Sequence, residues 1–375
     1  MPPILPNPIA PVWAITHSGS TSPVLLRDAL GPHTRFTMTT TFDTLSGRGQ
    51  FHYQLVLGEH NSDPAEVAAQ RDWFGLPWSA LFLYGSLRDD EGQLYTVLRV
   101  PERNGGGRKR FYLQTTLGAD DLHVHDASRG SARNEGFVRQ HRDGVTTIYS
   151  PSDSDGQPFR FEVDATTSSW SEAGTMELHG TLVEPGLHWH LPSASGGVDE
   201  GYYYVSQLYE VRGQILGRDV HGFYGADDLY ANGLIYQDDL LVGKKLHVTW
   251  YTWATRYADG SLDAGHFMLG HDGLGMLLLC DQDGRVRRTT HVDGFVELDE
   301  TGTWPTRIEV HAPGEDWEFL PDPRGRMVDF MPMPNPQIEG RWRRIADTRQ
   351  PVHWFAYGEI APSHGLVPRS GALGA

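Results

Sequence analysis

The chain has 375 residues, with 31 Lys and Arg against 48 Asp and Glu, for a formal charge of −17. Neutralising phosphates takes a basic patch, and the one dense cationic run is Arg108-Lys109-Arg110, so neither nucleic acid nor an anionic membrane is an expected partner. A single cysteine, Cys280, excludes an internal disulfide and a thiolate-clustered metal site, which fits a reducing, cytoplasmic setting.

The longest apolar stretches, such as Met276 to Cys280, are about one strand long against the roughly 20 residues of a membrane helix, so no membrane span is expected. The amino terminus, MPPILPNPIAPVWAI, is apolar but lacks a cationic lead and is broken by prolines. It reads as a docked extended arm rather than a signal peptide. One convincing helix follows in SDPAEVAAQ, where Asp63 can cap, Pro64 fits the first helical position and Glu66 sits three residues after the cap. It is a candidate lid or plug.

Elsewhere 43 glycines and 24 prolines are more punctuation than helices carry, and the chain reads as mostly β. Glu91-Gly92, Asp143-Gly144, Asp259-Gly260 and Asp283-Gly284 stand beside runs of β-formers. They mark hairpin tips and an antiparallel meander. In Leu246 to Trp253 the two alternating sets, one with Trp250 and one with Tyr251 and Trp253, both carry large groups, as in a strand covered on both sides or lining a cavity. The small, polar run SASGGVDEG, from Ser193 to Gly201, separates two strand-rich halves. It suggests an amino-terminal domain over 1–195, a second over 196–365 and a flexible tail over 366–375. No short-period repeat argues for a propeller or solenoid, and two similar β-sandwich or barrel modules are the simplest architecture.

The stretch GYYYVSQLYEVRGQILGRDVHGFYGADDLY, residues 201–230, resembles the second-domain signature of the tandem lipocalin-like superfamily. That superfamily includes carotenoid hydratases (hydroxyneurosporene synthases) and decalin-forming Diels–Alderases. The matching positions are Tyr202 to Tyr204 with Ser206, then Gly222, then the acidic Asp227. The pattern departs at Gly225, where the family has Trp, and at Asp228, where it often has a basic residue. Trp78 to Val100, His247 to Ser261 and Phe355 to Gly365 are similar to further family strands, in the same order. The resemblance implies two all-β, lipocalin-like antiparallel modules in tandem, with a hydrophobic small-molecule pocket in or between them.

Four constellations could carry chemistry. Asp227 and Asp228 cannot both enter a pocket cheaply, because burial and like charge each raise a carboxyl pKa. One should face the cavity and the other water. A partly protonated carboxyl beside aromatic walls suits a general acid; a solvated pair capping a turn is the plainer reading. Among the aromatics, Trp78, Tyr84, Tyr202, Tyr204, Tyr224, Trp250 and Trp253, together with His266, are candidates to line a ligand cavity, although most such rings must be ordinary core. Tyr202 and Tyr204 share one face, with Tyr203 opposite. His188 and His190 flank Trp189 near the expected division and are candidate acid/base groups. As His-x-His pairs, they and His123/His125 could also hold a metal with a third ligand such as Asp126 or Glu184, but half-exposed strand histidines are the expectation and no metal is assigned. Glu359 is expected to pair with an arginine such as Arg256, the alternative being a second pocket carboxylate.

No phosphate loop or nucleophile elbow is present in the sequence, Cys280 reads as inert, and no cofactor is expected. The leading expectation is a cofactor-independent enzyme acting on a terpenoid, steroid-like or polyketide molecule by hydration, dehydration, isomerisation or cyclisation. A carrier of the same ligands and a carbohydrate-active β-sandwich are the alternatives.

Overall fold

A computed structural model describes residues 55–61, 63–103, 107–115, 121–125, 137–150, 158–172, 174–192, 201–233, 247–271, 273–328 and 335–362. The expected amino-terminal arm, the tail, Asp126 and most of SASGGVDEG lie outside these residues, as does the Glu184 side chain.

The elements run β1 (Val56–His60), α1 (Pro64–Ala69), β2 (Trp78–Arg88), β3 (Leu94–Pro101), β4 (Gly107–Thr115), β5 (Leu122–Val124), β6 (Val138–Arg142), β7 (Val145–Tyr149), β8 (Phe159–Val163), β9 (Thr167–Glu172), β10 (Met176–Leu191), β11 (Tyr202–Ile215) and β12 (Arg218–Tyr230). They continue as β13 (His247–Tyr257), β14 (Leu262–Gly270), β15 (Gly275–Asp281), β16 (Val286–Thr289), β17 (Asp293–Leu298), β18 (Pro305–Ala312), β19 (Glu315–Arg326), β20 (Gln337–Arg344) and β21 (Pro351–Ile360). The all-β class and the two antiparallel modules in tandem expected from the sequence are what the structure shows. The turn reading holds as well: Gly92, Gly144, Gly260 and Gly284 all have positive φ, the conformation for which glycine carries no steric cost. Asp63 caps α1 by accepting from Ala65 N at 2.9 Å. Val67 of this helix is buried in the first sheet's interior cluster, and α1 packs against β6 and β7.

Both sheets trace one circuit. In the first, β2 to β5 pair in chain order, β6 to β12 pair in chain order, and β12 returns to pair with β2. In the second, β13 to β16 and β17 to β21 do the same, and β21 returns to β13. A sheet whose last strand folds back onto its first is a curled barrel left open at one seam, here between β5 and β6 and between β16 and β17. β1 adds to β10 beyond a register shift between Val183 and Leu187.

The division expected at 195/196 falls between β10 and β11, which pair along nearly their whole length inside the first sheet. The change of sheet comes later, between Tyr230 and His247. Composition pointed to the loop of small residues, but strand hydrogen bonds assign β11 and β12 to the first module, since they close it onto β2.

Three apolar clusters follow from strand alternation. Trp170, Tyr209 and Tyr224 fill the first interior, and Trp253, Trp317 and Trp342 fill the second. The third lies between the sheets and contains Trp189, Tyr202, Phe223, Met268, Cys280 and Phe355. Polar contacts also cross this seam. Glu210 of β11 accepts from Arg256 of β13 at 2.5 Å and pairs with His353 of β21 at 2.8 Å. Arg88 of β2 meets Asp322 of β19 at 3.2 Å, and Ser86 donates to Glu339 of β20 at 2.7 Å. Burial pushes the Glu339 carboxyl up to about 8, against the pull of Arg88 and Ser86.

Candidate active site

Within the seam lies a cavity of about 80 Å³, ample for several waters at roughly 10–15 Å³ each. The first sheet contributes Phe82, Tyr84, Leu98, Trp189, Tyr204 and Leu229 to its wall. The second contributes His247, Trp250, Met268, Gln337, Tyr357 and Glu359. The space is therefore between the modules, and among the described residues aromatic and aliphatic side chains pack each module's own interior.

Asp227 is fully buried behind this wall. β12 turns Phe223 and Leu229 to the seam and Tyr224 and Tyr230 to the first interior, so the odd-numbered Asp227 faces the seam. Its carboxylate accepts from Ser206 at 2.5 Å, from Tyr204 at 2.7 Å and from Tyr84 at a short contact. Burial raises the carboxyl to about 7, even though the three hydroxyls pull it down. The acid thus meets the cavity through the two lining tyrosines, and its strand belongs to the first module rather than the second.

The Tyr84 contact depends on Gly225. The two residues are cross-strand partners, and a Cβ at Gly225 would lie 2.8 Å from Tyr84 Cζ and 2.9 Å from its hydroxyl oxygen. The ring occupies the space that a side chain at Gly225 would take. Its hydroxyl also contacts Thr252 Oγ1 of the second sheet at 2.7 Å, and Thr252 Oγ1 lies 3.0 Å from His266 Nδ1. One hydroxyl carries one proton, so donation to Asp227 leaves Tyr84 accepting from Thr252, which in turn accepts from His266 Nδ1–H. Burial lowers His266 to about 3, so the ring is neutral. Its Nε2 has no hydrogen-bond partner among the described residues. A chain of hydrogen bonds therefore crosses the seam from Asp227 to His266. Burial, and then the neighbouring Asp227, also hold the Tyr84 phenol well above its ordinary range.

Other expected site residues lie elsewhere. Asp228 faces the first interior instead of water: it is 7% exposed, accepts from Trp78 Nε1 at 2.7 Å and is raised by burial against the pull of Arg139 and Trp78. Trp78 is consequently a core donor. Tyr224 is paired with Ser168 inside the same module. Trp253 packs on Phe267 and Trp317 in the second interior, because alternation sends it opposite Trp250. His188 and His190 sit across β10 from Trp189, near His60, Tyr203 and Phe74. Burial lowers them to about 3 and 4, so both are neutral, and neither lines the cavity. Tyr202 is in the seam cluster, next to Trp189, but does not line the cavity. His266 stacks behind Trp250 at 5.1 Å. Of the expected set, Tyr84, Tyr204 and Trp250 reach the cavity wall.

Two polar residues at the wall were not singled out from the sequence, His247 and Gln337. Strict alternation separates His247 from Trp250, but a register shift between His247 and Thr249 breaks the count and puts both on the cavity. Such a bulge has no marker in this segment. Glu359 pairs with His247 at 3.0 Å and not with Arg256, whose partner is Glu210. It is the second pocket carboxylate. Among the described residues no group of three His, Cys, Asp or Glu is placed to hold a metal ion, and no helix is long and apolar enough to cross a membrane. Burial raises the Cys280 thiol to about 12, and the group is unreactive at neutral pH.

No family model matches the chain, and no curated protein sequence does. Among solved structures, the chain is similar to a Nitrosomonas europaea protein given the provisional name AttH, at 14% identity over 76% of this chain and 92% of the other, with a TM-score of 0.42. It is similar to CghA bound to Sch210972 at 10% identity over 82% and 98%, with a TM-score of 0.45. It is also similar to kievitone hydratase from Nectria haematococca at 9% identity over 81% and 94%, with a TM-score of 0.40. With TM-scores below 0.5 these likenesses say nothing about this chain's activity.

Proposed function

We propose that the chain is an enzyme that moves protons on a hydrophobic small molecule held in the seam cavity. The observation that carries this reading is Asp227, a carboxyl at about 7 sealed from water and hydrogen-bonded to two tyrosines of the cavity wall. A carboxyl poised near neutrality both gives and takes a proton at working pH, which is what general acid–base catalysis asks of it. Asp227 protonates the Tyr84 oxygen as the Tyr84 O–H proton passes to the ligand, and Thr252 with the neutral His266 behind it holds the Tyr84 hydroxyl in place. The rings of Trp189, Tyr204, Trp250 and Tyr357 exclude water and stabilise positive charge that develops on the ligand. Hydration, dehydration, isomerisation and cyclisation of a terpenoid, steroid-like or polyketide molecule are the reactions this chemistry serves.

An ionisable group buried at the wall distinguishes this reading from a carrier with a wholly apolar lining. A saccharide platform of exposed Trp is absent among the described residues, where Trp170, Trp253, Trp317 and Trp342 are fully buried.

Native mass spectrometry of the purified protein is expected to reveal a bound hydrophobic molecule. Incubating that molecule with the protein in D2O is expected to exchange or add deuterium, and Asp227→Asn is expected to stop this while leaving the molecule bound. Unchanged incorporation in the variant removes Asp227 from the mechanism. A bound molecule that gains no deuterium with the wild-type protein points to a carrier.

A further inference from the structure

The end of β20 away from Gln337 borders a separate pocket of about 220 Å³, and none of its lining residues lines the seam cavity. Alternation puts Arg341 and Arg343 on one face of β20, opposite Trp342 of the second interior, with about 7 Å between them along the strand. Both line this pocket, together with Arg349 and Asp347. The carboxylates nearby are already engaged by other arginines. Asp347 accepts from Arg349 Nη2 at 2.7 Å, and Asp263 pairs with Arg349 and with Arg344. Glu318 Oε1 takes both Nε and Nη2 of Arg343, at 2.7 and 2.6 Å, which leaves Arg343 Nη1 without a partner among the described residues. Arg341 is half-buried and has no hydrogen bond or ion pair among the described residues; its guanidinium lies 5.8 Å from the Trp354 ring. Burial lowers its pKa from the ordinary range, and the neighbouring Arg343 works in the same direction. A chain of formal charge −17 thus keeps an unmatched cation in a concave site.

We infer that this pocket is a binding site for a phosphate group, held between Arg341 and Arg343. A guanidinium presents its N–H groups as a planar fork, and a carboxylate fills one such fork. A tetrahedral phosphate offers oxygens to two forks at once, which is what two arginines two residues apart on one strand face require. Its charge matches that of Arg341 and offsets the repulsion between the two guanidinium groups. The inference is independent of the reading of the seam cavity, because the two sites share no lining residue.

Arginine labelling by phenylglyoxal, read by peptide mass spectrometry at fixed ionic strength, tests this on the wild-type protein. Inorganic phosphate is expected to slow the labelling of Arg341 saturably, by about tenfold at ten times its dissociation constant, and acetate is expected to leave it unchanged. Arg218, half-exposed on β12 of the first module, is expected to be labelled at the same rate throughout. In phosphorus NMR titrations, Arg341→Gln is expected to weaken phosphate binding about tenfold or more, the range of hydrogen bonds to a charged group. Tighter binding of phenyl phosphate than of inorganic phosphate assigns the site to phosphate esters, the reverse order assigns it to the free ion, and either supports the inference. An unprotected Arg341, protection shared equally by Arg218, or acetate protecting as well as phosphate overturns it, as does unchanged phosphate binding in Arg341→Gln. The labelling requires no variant to fold.

Discussion

Tyr84 lies across Gly225 on the neighbouring strand and so places its hydroxyl against Asp227 of its own sheet and Thr252 of the other. Gly225 has no side chain, and the space beside it is filled by Tyr84 from β2. The acid consequently has a tyrosine between it and the cavity.

Replacing Gly225 by Ala puts a methyl 2.8 Å from the Tyr84 ring. Overpacking of this kind costs about 1–3 kcal/mol, and the ring must leave its position over β12. Denaturant unfolding of Gly225→Ala, Tyr84→Ala and the double variant checks this: the alanine at 225 is expected to cost much less once Tyr84 has been removed. Additive losses rule out the contact as the cause.

Asp227 binds its proton more tightly in the folded protein, at about 7 against an ordinary 3.8. A raised carboxyl pKa contributes no penalty below about pH 4, and stability then falls as pH climbs through about 7, by an amount on the order of 4 kcal/mol. Asn cannot ionise. Asp227→Asn is therefore expected to gain on the wild-type protein between about pH 4 and 8, measured by urea unfolding at both ends. Because Glu339 shifts in the same direction, the difference between the two proteins is the quantity to read. A difference independent of pH shows that Asp227 is ionised throughout.

Burial works to raise Glu210, but His353 and Arg256 outweigh it and hold its carboxyl at about 2. This depressed carboxylate contributes stability above its unfolded value and loses it as pH falls toward about 2. Glu210→Gln is expected to cost about 1–3 kcal/mol at neutral pH, and to weaken the seam more than either sheet, because its partners lie on β13 and β21. Hydrogen exchange resolves the two: seam-facing amides of β11, β13 and β21 should exchange faster, while those at the Trp317 and Trp342 core stay protected.

Trp250 and Trp253 separate binding from folding. Trp250 is partly buried at the cavity, whereas Trp253 is fully buried against Phe267 and Trp317. Trp253→Ala is expected to destabilise by about 3–5 kcal/mol. Trp250→Ala is expected to destabilise by less and to weaken binding of the aromatic probe 2-naphthol to the cavity by about tenfold. Calorimetry and fluorescence titration of both variants check the pair, and the reverse assignment would put the ligand in the second interior.

Local chemistry made much of this protein legible. The Asp-Gly and Glu-Gly tips, the cap at Asp63, the strand class and the opposed faces of Tyr203 and Tyr204 each follow from a few neighbouring residues, because turn φ values, capping and the two-residue strand period are short-range properties. Asp227 stood out for the same reason, as one of an acidic pair at the end of an aromatic strand.

Charge, composition and local pattern by themselves determined an acidic, all-β chain with two modules and an acid near aromatic rings. Only the tertiary structure decided where one module ends, that β11 and β12 close the first sheet, and that the cavity of Tyr84, Tyr204 and Trp250 lies between the modules. It also decided that His247, Gln337 and Glu359 meet across from Asp227. These depend on which distant strands share hydrogen bonds and on one register shift after His247, and pairing between strands far apart in the chain leaves no trace in the residues adjacent to either.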